Sequence, residues 1–154
     1  MERKALAEKI LVLGIDGMDP RKTRAYVDEG LMPHTKALIE RGAQRQDLVL
    51  LGGVPTITPP MWTTLATGAT PYTHGVTDFF KKGERVGICA YNFDSRHCAA
   101  EPLWNVTAEA GLKTLVWHWP GSSWPPTANN DHLMVVDGTQ PEGINMGNAV
   151  VDNE

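Results

Sequence analysis

The chain has 154 residues, 42% of them hydrophobic and 21% charged, with 14 Lys plus Arg against 18 Asp plus Glu for a formal net charge of −4. Those proportions fit one folded, mildly acidic globular domain and exclude disorder, collagen-like sequence and a coiled coil; two full domains would not fit the length. The cations are scattered, so the footprint of a phosphate-backbone binder is missing and no nucleic acid polymer is expected as a partner.

Taken in chain order, residues 9–15 hold the run Ile10-Leu11-Val12-Leu13, flanked by Lys9 and Asp16. The run is too short for a signal core or a membrane span, which predicts a cytoplasmic protein with no membrane partner. Its β-rich composition predicts a strand buried on both faces and ended by Asp16-Gly17. Asp19-Pro20 reads as an N-cap and first helical position, for a helix to about Glu29 stopped by Gly30. Pro33 starts a second helix, with Ala37, Leu38 and Ile39 inside and Gly42 as its stop. Residues 47–51 read as the next strand.

Residues 48–77 carry no charged side chain, whereas the first 47 residues hold 17 of the chain's charges. Gly52, Gly53, Pro55, Pro59 and Pro60 interrupt that stretch, so it is no membrane span but a strand, a loop and a helix over residues 60–67 closed by Gly68. A further helix is predicted over residues 103–110 with Gly111 as its stop, then strands over 114–118 and 133–136. Strand and helix alternating in this order predicts an α/β fold, a mainly parallel sheet with helices on both faces. Residues 1–142 form that domain and residues 143–154 a polar tail. Cys89 and Cys98 have no metal-type spacing and read as free thiols, and the Asn105-Val106-Thr107 glycosylation pattern reads as chance.

Ligands of open parallel sheets collect outside the carboxyl ends of the strands. Asp16 ends the first strand, and beside Gly17 its carboxylate suits a divalent cation, although Asp-Gly is equally a turn dipeptide. Thr58 precedes two prolines, and Pro60 fits the first turn of a helix, so the Thr58 hydroxyl falls at a helix N-terminus, where free amides and the dipole favour an anion such as phosphate. As a nucleophile a threonine needs a base or a metal, and Asp16 is the carboxylate to hold that metal. The bland alternative makes Thr58 an N-cap worth about 1 kcal/mol.

Four further stretches sharpen this choice. Gly14-Ile15-Asp16-Gly17-Met18, Met32-Pro33-His34, Pro55-Thr56-Ile57-Thr58-Pro59-Pro60 and Thr67-Gly68-Ala69-Thr70-Pro71-Tyr72-Thr73-His74-Gly75-Val76 resemble, in order and spacing, the amino-terminal part of type I phosphodiesterases/nucleotide pyrophosphatases of the alkaline phosphatase superfamily. Pro102-Leu103-Trp104 and Trp119-Pro120-Gly121 extend the resemblance across residues 10–121. It implies an α/β hydrolase of phosphate mono- or diesters that holds two divalent metals, usually zinc, and passes through a phospho-threonine or phospho-serine. By the same resemblance Asp16 is a metal ligand, Thr58 is both the nucleophile and a ligand of that metal, and the substrate is a small phosphate ester.

Two departures stand beside the resemblance. Phe79 falls where pyrophosphatase members carry an asparagine that holds phosphoryl oxygens, and the family's downstream Asp and His ligands have no counterpart, since His74, His97, His118 and His132 do not fall in their patterns. Asp16 and Thr58 alone are two of the four ligands typical of zinc, which predicts an amino-terminal fragment that is inactive by itself. The alternative is a non-catalytic remnant that binds a phosphate ligand, as a homo-oligomer covering its open face. A haloacid-dehalogenase-type phosphatase is excluded because Met18 stands where its second aspartate would be.

Among the remaining residues, His74 reads as structural and Asp137-Gly138 as a turn. His118 is either a packed histidine or a substrate contact, and strand alternation predicts that it and Trp117 point oppositely. Trp62, Trp104 and Trp117 read as core and loop anchors, with Trp119 and Trp124 apart from them in a proline-rich loop.

Overall fold

A computed structural model describes residues 7–45, 55–82, 89–122 and 130–137, and the chain divides into two compact units, Met1–Val49 and Leu50–Glu154. In the first unit, helix α1 spans Pro20–Asp28 and α2 spans Pro33–Arg41. The α1 start follows its sequence signal closely. The Asp19 carboxylate accepts the Arg21 amide at 2.8 Å and the Lys22 amide at 3.3 Å, while Pro20 brings no amide that would need a partner. The Arg21 amide and then the Lys22 amide hold the Asp19 carboxyl below the ordinary carboxylate value. Gly30 follows with φ of 79°, a left-handed turn that ends the helix cheaply only in glycine.

Two expectations for this unit need correction. Residues 10–15 form no strand, and Ile10, Leu11, Leu13 and Ile15 are 82%, 80%, 77% and 68% exposed. Apolar composition shows that a segment needs a neighbour without supplying one, and no ladder partner for it exists among the described residues; the strand expected over residues 47–51 lies outside them. In α2, Leu38 faces outward at 64% exposed, and only Ala37 and Ile39 of the expected inner side are partly covered.

The second unit begins with helix α3 (Thr58–Thr67), a short helix α4 (Pro71–His74), and an antiparallel pair of strands, β1 (Phe80–Lys82) and β2 (Cys89–Tyr91). A 3-10 turn (Ser95–His97) leads to α5 (Leu103–Glu109), β3 (Thr114–Trp119) and β4 (Leu133–Asp137). Strands β3 and β4 run parallel, Thr114 opposite Leu133 and Val116 opposite Val135, and the register shifts between Trp117 and Trp119. Val116, Leu133 and Val135 meet Ala108 of α5 in a buried cluster, with Trp104 and Trp119 packed against it. Each such aliphatic side chain contributes about 1.5–3 kcal/mol by leaving water. The α/β class is the expected one, and helix boundaries match to within a residue or two. No helix among the described residues is long and apolar enough to cross a membrane.

Candidate active site

Helix α3 carries Thr58, but not as the cap. Ile57 is the N-cap, extended at φ of −124° and ψ of 162°, and Thr58, Pro59 and Pro60 are the first three helical residues. Prolines fit there because first-turn amides have no intrahelical acceptor anyway; the first bond closes from the Met61 amide to the Ile57 carbonyl at 3.2 Å. This placement overturns the capping alternative for Thr58. It also thins the expected anion cradle, because Thr58 is the only one of the three with an amide at all.

Both prolines are fully buried, and Trp62, Thr63, Thr64 and Ala66 follow them into the interior, which fixes the axis of the helix while Thr58 stays partly exposed. At the other end Gly68, with φ of 67°, donates its amide to the Thr64 carbonyl at 2.8 Å. Below the middle of α3 sits His74, fully buried. Its Nδ1 accepts the Val76 amide at 3.1 Å, which leaves the neutral ring's proton on Nε2, 3.1 Å from Thr64 Oγ1. Burial pushes the imidazole below its ordinary value, opposed by the Pro60 carbonyl nearby. His74 is therefore a neutral strut between α4 and α3, and the structural reading of it stands.

Trp119 is the second brace. Its ring meets Trp62 edge-on at 4.9 Å between centroids and Trp104 at 6.1 Å, and its Nε1 donates to the Trp62 carbonyl at 3.4 Å. Trp119 thus anchors the interior, contrary to its expected place in a loop, whereas Trp117 is 67% exposed and is no anchor. Trp124 lies outside the described residues. The reason is a bulge that strand alternation cannot foresee: His118 takes φ of 49°, so Trp119 returns to the buried side that Val116 occupies and His118 turns out beside Trp117, ring centroids 5.4 Å apart. The expected opposite orientation of His118 and Trp117 is lost with it.

Phe79, at the position of the missing asparagine, packs edge-on against Phe93 at 5.9 Å and brings no donor of its own side chain. Behind α3, Thr63, Thr67, Asn92, Ser95 and Ser122 line a cavity of about 20 Å³, room for one water, with the buried Asn92 Oδ1 unpaired among the described residues. Cys98 also borders it; burial raises its thiol's pKa, and the thiol donates to the Ala100 carbonyl at 3.2 Å. This cavity touches the second half of α3 and not Thr58, so it is separate from the reacting end. Among the described residues no three His, Cys, Asp or Glu side chains converge as a metal site. A tetrahedral zinc site takes four ligands, so the described residues do not by themselves make up a complete metal centre.

The family model for type I phosphodiesterase / nucleotide pyrophosphatase matches residues 10–152. The chain belongs to that family. No curated protein matches it. Among solved structures it resembles phosphonoacetate hydrolase from Sinorhizobium meliloti 1021, an alkaline phosphatase superfamily enzyme determined in complex with phosphonoacetate, at 28% identity and a TM-score of 0.57. The likeness covers 66% of this chain and 24% of that one, so this family member spans about a quarter of the hydrolase's length. Members of the superfamily to which that hydrolase belongs generally depend on divalent metal.

Proposed function

We propose that this chain carries the nucleophile of a metal-dependent phosphodiesterase or nucleotide pyrophosphatase, Thr58, which forms a phospho-threonine intermediate, and that Asp16 contributes one ligand to its divalent metal, zinc. The observation that carries the reading is the seat of Thr58: a partly exposed hydroxyl on the first residue of a helix whose next two residues are buried prolines. That seat aims the positive end of the helix dipole at incoming phosphate and restrains the side chain against buried neighbours. Thr58 Oγ attacks phosphorus in line; the O–P bond forms as the bond to the leaving oxygen breaks, and the proton lost by the hydroxyl balances the one gained by the leaving group. Water then attacks the phospho-threonine and regenerates Thr58.

The competing picture, a domain that binds phosphate without turning it over, needs a cluster of helix amides, and Pro59 and Pro60 remove two of them. The test is acid-quenched hydrolysis of bis-p-nitrophenyl phosphate by a complete enzyme carrying this chain, with peptide mass spectrometry. Phosphate on Thr58 is expected, together with loss of turnover in Thr58→Ala and retained turnover in Thr58→Ser. Stability should change by about 1 kcal/mol or less in either variant. Near-normal turnover by Thr58→Ala would sink the assignment.

A further inference from the structure

We propose that the cavity behind α3 is a binding site for one bare monovalent cation of potassium's size, a site independent of the role assigned to Thr58. Asn92 is the residue that calls for it. The side chain is buried, at 4% exposed, and its Nδ2 donates to the Asp78 carbonyl at 2.7 Å. That bond settles which way the amide faces, because a carbonyl can only accept. Oδ1 is then what Asn92 has left to offer, a buried acceptor with no hydrogen-bond partner among the described residues, on a residue that lines the cavity. A buried carbonyl oxygen without a partner is costly, so it marks a place where a further group supplies one.

The rest of the wall selects the occupant. Ser122 gives its hydroxyl hydrogen to the Trp119 carbonyl at 2.6 Å, Thr67 gives its own to the Thr63 carbonyl at 2.7 Å, and the Cys98 thiol is committed to the Ala100 carbonyl. Each brings only lone pairs to the cavity, as do Asn92 Oδ1 and the Asp94 carboxylate. Asp94 is 18% exposed and is kept ionised by Arg96, whose own side chain is 69% exposed. No Lys, Arg or His among the described residues lines the cavity, and the uncommitted side-chain donors on its wall are the Thr63 hydroxyl and the Trp104 indole N–H. A water molecule has two hydrogens to give, too few for this many acceptors, and an anion would meet lone pairs and a carboxylate. A cation takes lone pairs from every side, the Thr63 hydroxyl can turn its own inward, and oxygens that replace a hydration shell are how proteins hold potassium. The volume of about 20 Å³ admits one body of roughly 1.4 Å radius, the size of a potassium ion as of water. Bound there, the ion ties the second half of α3, through Thr63 and Thr67, to Asn92, Asp94 and the turn at Ser122 that follows β3.

The test is thermal unfolding of a complete enzyme carrying this chain in potassium chloride and in choline chloride at equal ionic strength, so that screening and the anion are shared. An ion at about ten times its dissociation constant multiplies the folded population about elevenfold, so potassium should raise the Tm by about 2–4 °C over choline, and the rise should saturate with concentration. Asn92→Ala should abolish the potassium-specific rise. Thr63→Val, which removes a hydroxyl with no other partner among the described residues and keeps the side chain's shape, should at least halve it. Equal melting of the wild type in the two chlorides means that a water molecule fills the cavity, and it overturns the proposal. A rise that Thr63→Val leaves at its wild-type size also overturns it, by placing the ion elsewhere, and that variant decides the matter even if Asn92→Ala does not fold.

Discussion

Replacing His74 with alanine removes a side chain that is fully enclosed and bonded at both ring nitrogens. The Val76 amide and the Thr64 hydroxyl would each be left without that partner in the interior, at about 1–3 kcal/mol apiece, and the imidazole's volume would be left as a partly collapsed cavity. The expected loss is on the order of 3–5 kcal/mol, a large part of the roughly 5–15 kcal/mol that holds a typical domain. Asparagine places Oδ1 where Nδ1 stands and keeps the Val76 bond, and glutamine places its amide nitrogen near Nε2 and keeps the Thr64 contact. Each should recover about 1 kcal/mol relative to alanine in urea unfolding at pH 8. The pH dependence gives a second readout. Burial holds the folded imidazole below the 6.5 of the unfolded chain, so its contribution is complete above pH 6.5 and is lost as pH falls from there toward the folded value. The slope reaches at most about 1.4 kcal/mol per pH unit, and His74→Asn should flatten it. An alanine variant that loses under about 1 kcal/mol and keeps the wild-type acid slope would refute the strut.

Gly68→Ala meets no atom within 4 Å of the added methyl, so its cost is purely the left-handed backbone at φ of 67°. A loss of about 1 kcal/mol in urea unfolding is expected, and no loss would mean that the α3 terminus is not held in that conformation. Asp19→Ala should lower the Tm at pH 7 because the Arg21 and Lys22 amides lose their acceptor. The Asp19 carboxyl titrates below 3.8 when folded, so the deficit should shrink as pH falls through that range, and a deficit that persists at pH 2 would contradict the cap.

The helices were legible because their signals are local. Asp19-Pro20, Pro33 and the glycines at 30, 68 and 111 act through the φ, the amide and the carbonyl of single residues, which the chain carries wherever it folds. The start of α3 was misread, since two prolines can enter a first turn that needs no amides and push the cap back from Thr58 to Ile57. The short antiparallel pair β1–β2 escaped notice because three-residue strands carry no usable alternation. The His118 bulge was invisible for a deeper reason: its cause is the packing of Trp119 on Trp62, 57 residues earlier in the chain. The fate of Ile10 to Ile15 likewise depends on neighbours that its own composition cannot provide.

That exposed run has a bearing on how any variant at its end should be judged. Ile10-Leu11-Val12-Leu13 joins high β-propensity to an absence of charge, the makeup of a segment that stacks with copies of itself, and Lys9 and Asp16 are the charges that interrupt it. Asp16 is therefore placed to act as a gatekeeper of solubility as well as being the metal ligand proposed above. Asp16→Asn would remove the gatekeeping charge and the proposed ligand at once, so a fall in activity measured per gram of lysate would mix lost chemistry with lost soluble enzyme. Lys9→Gln weakens the same gate without touching a ligand, and the difference between the two variants isolates the carboxylate's own part.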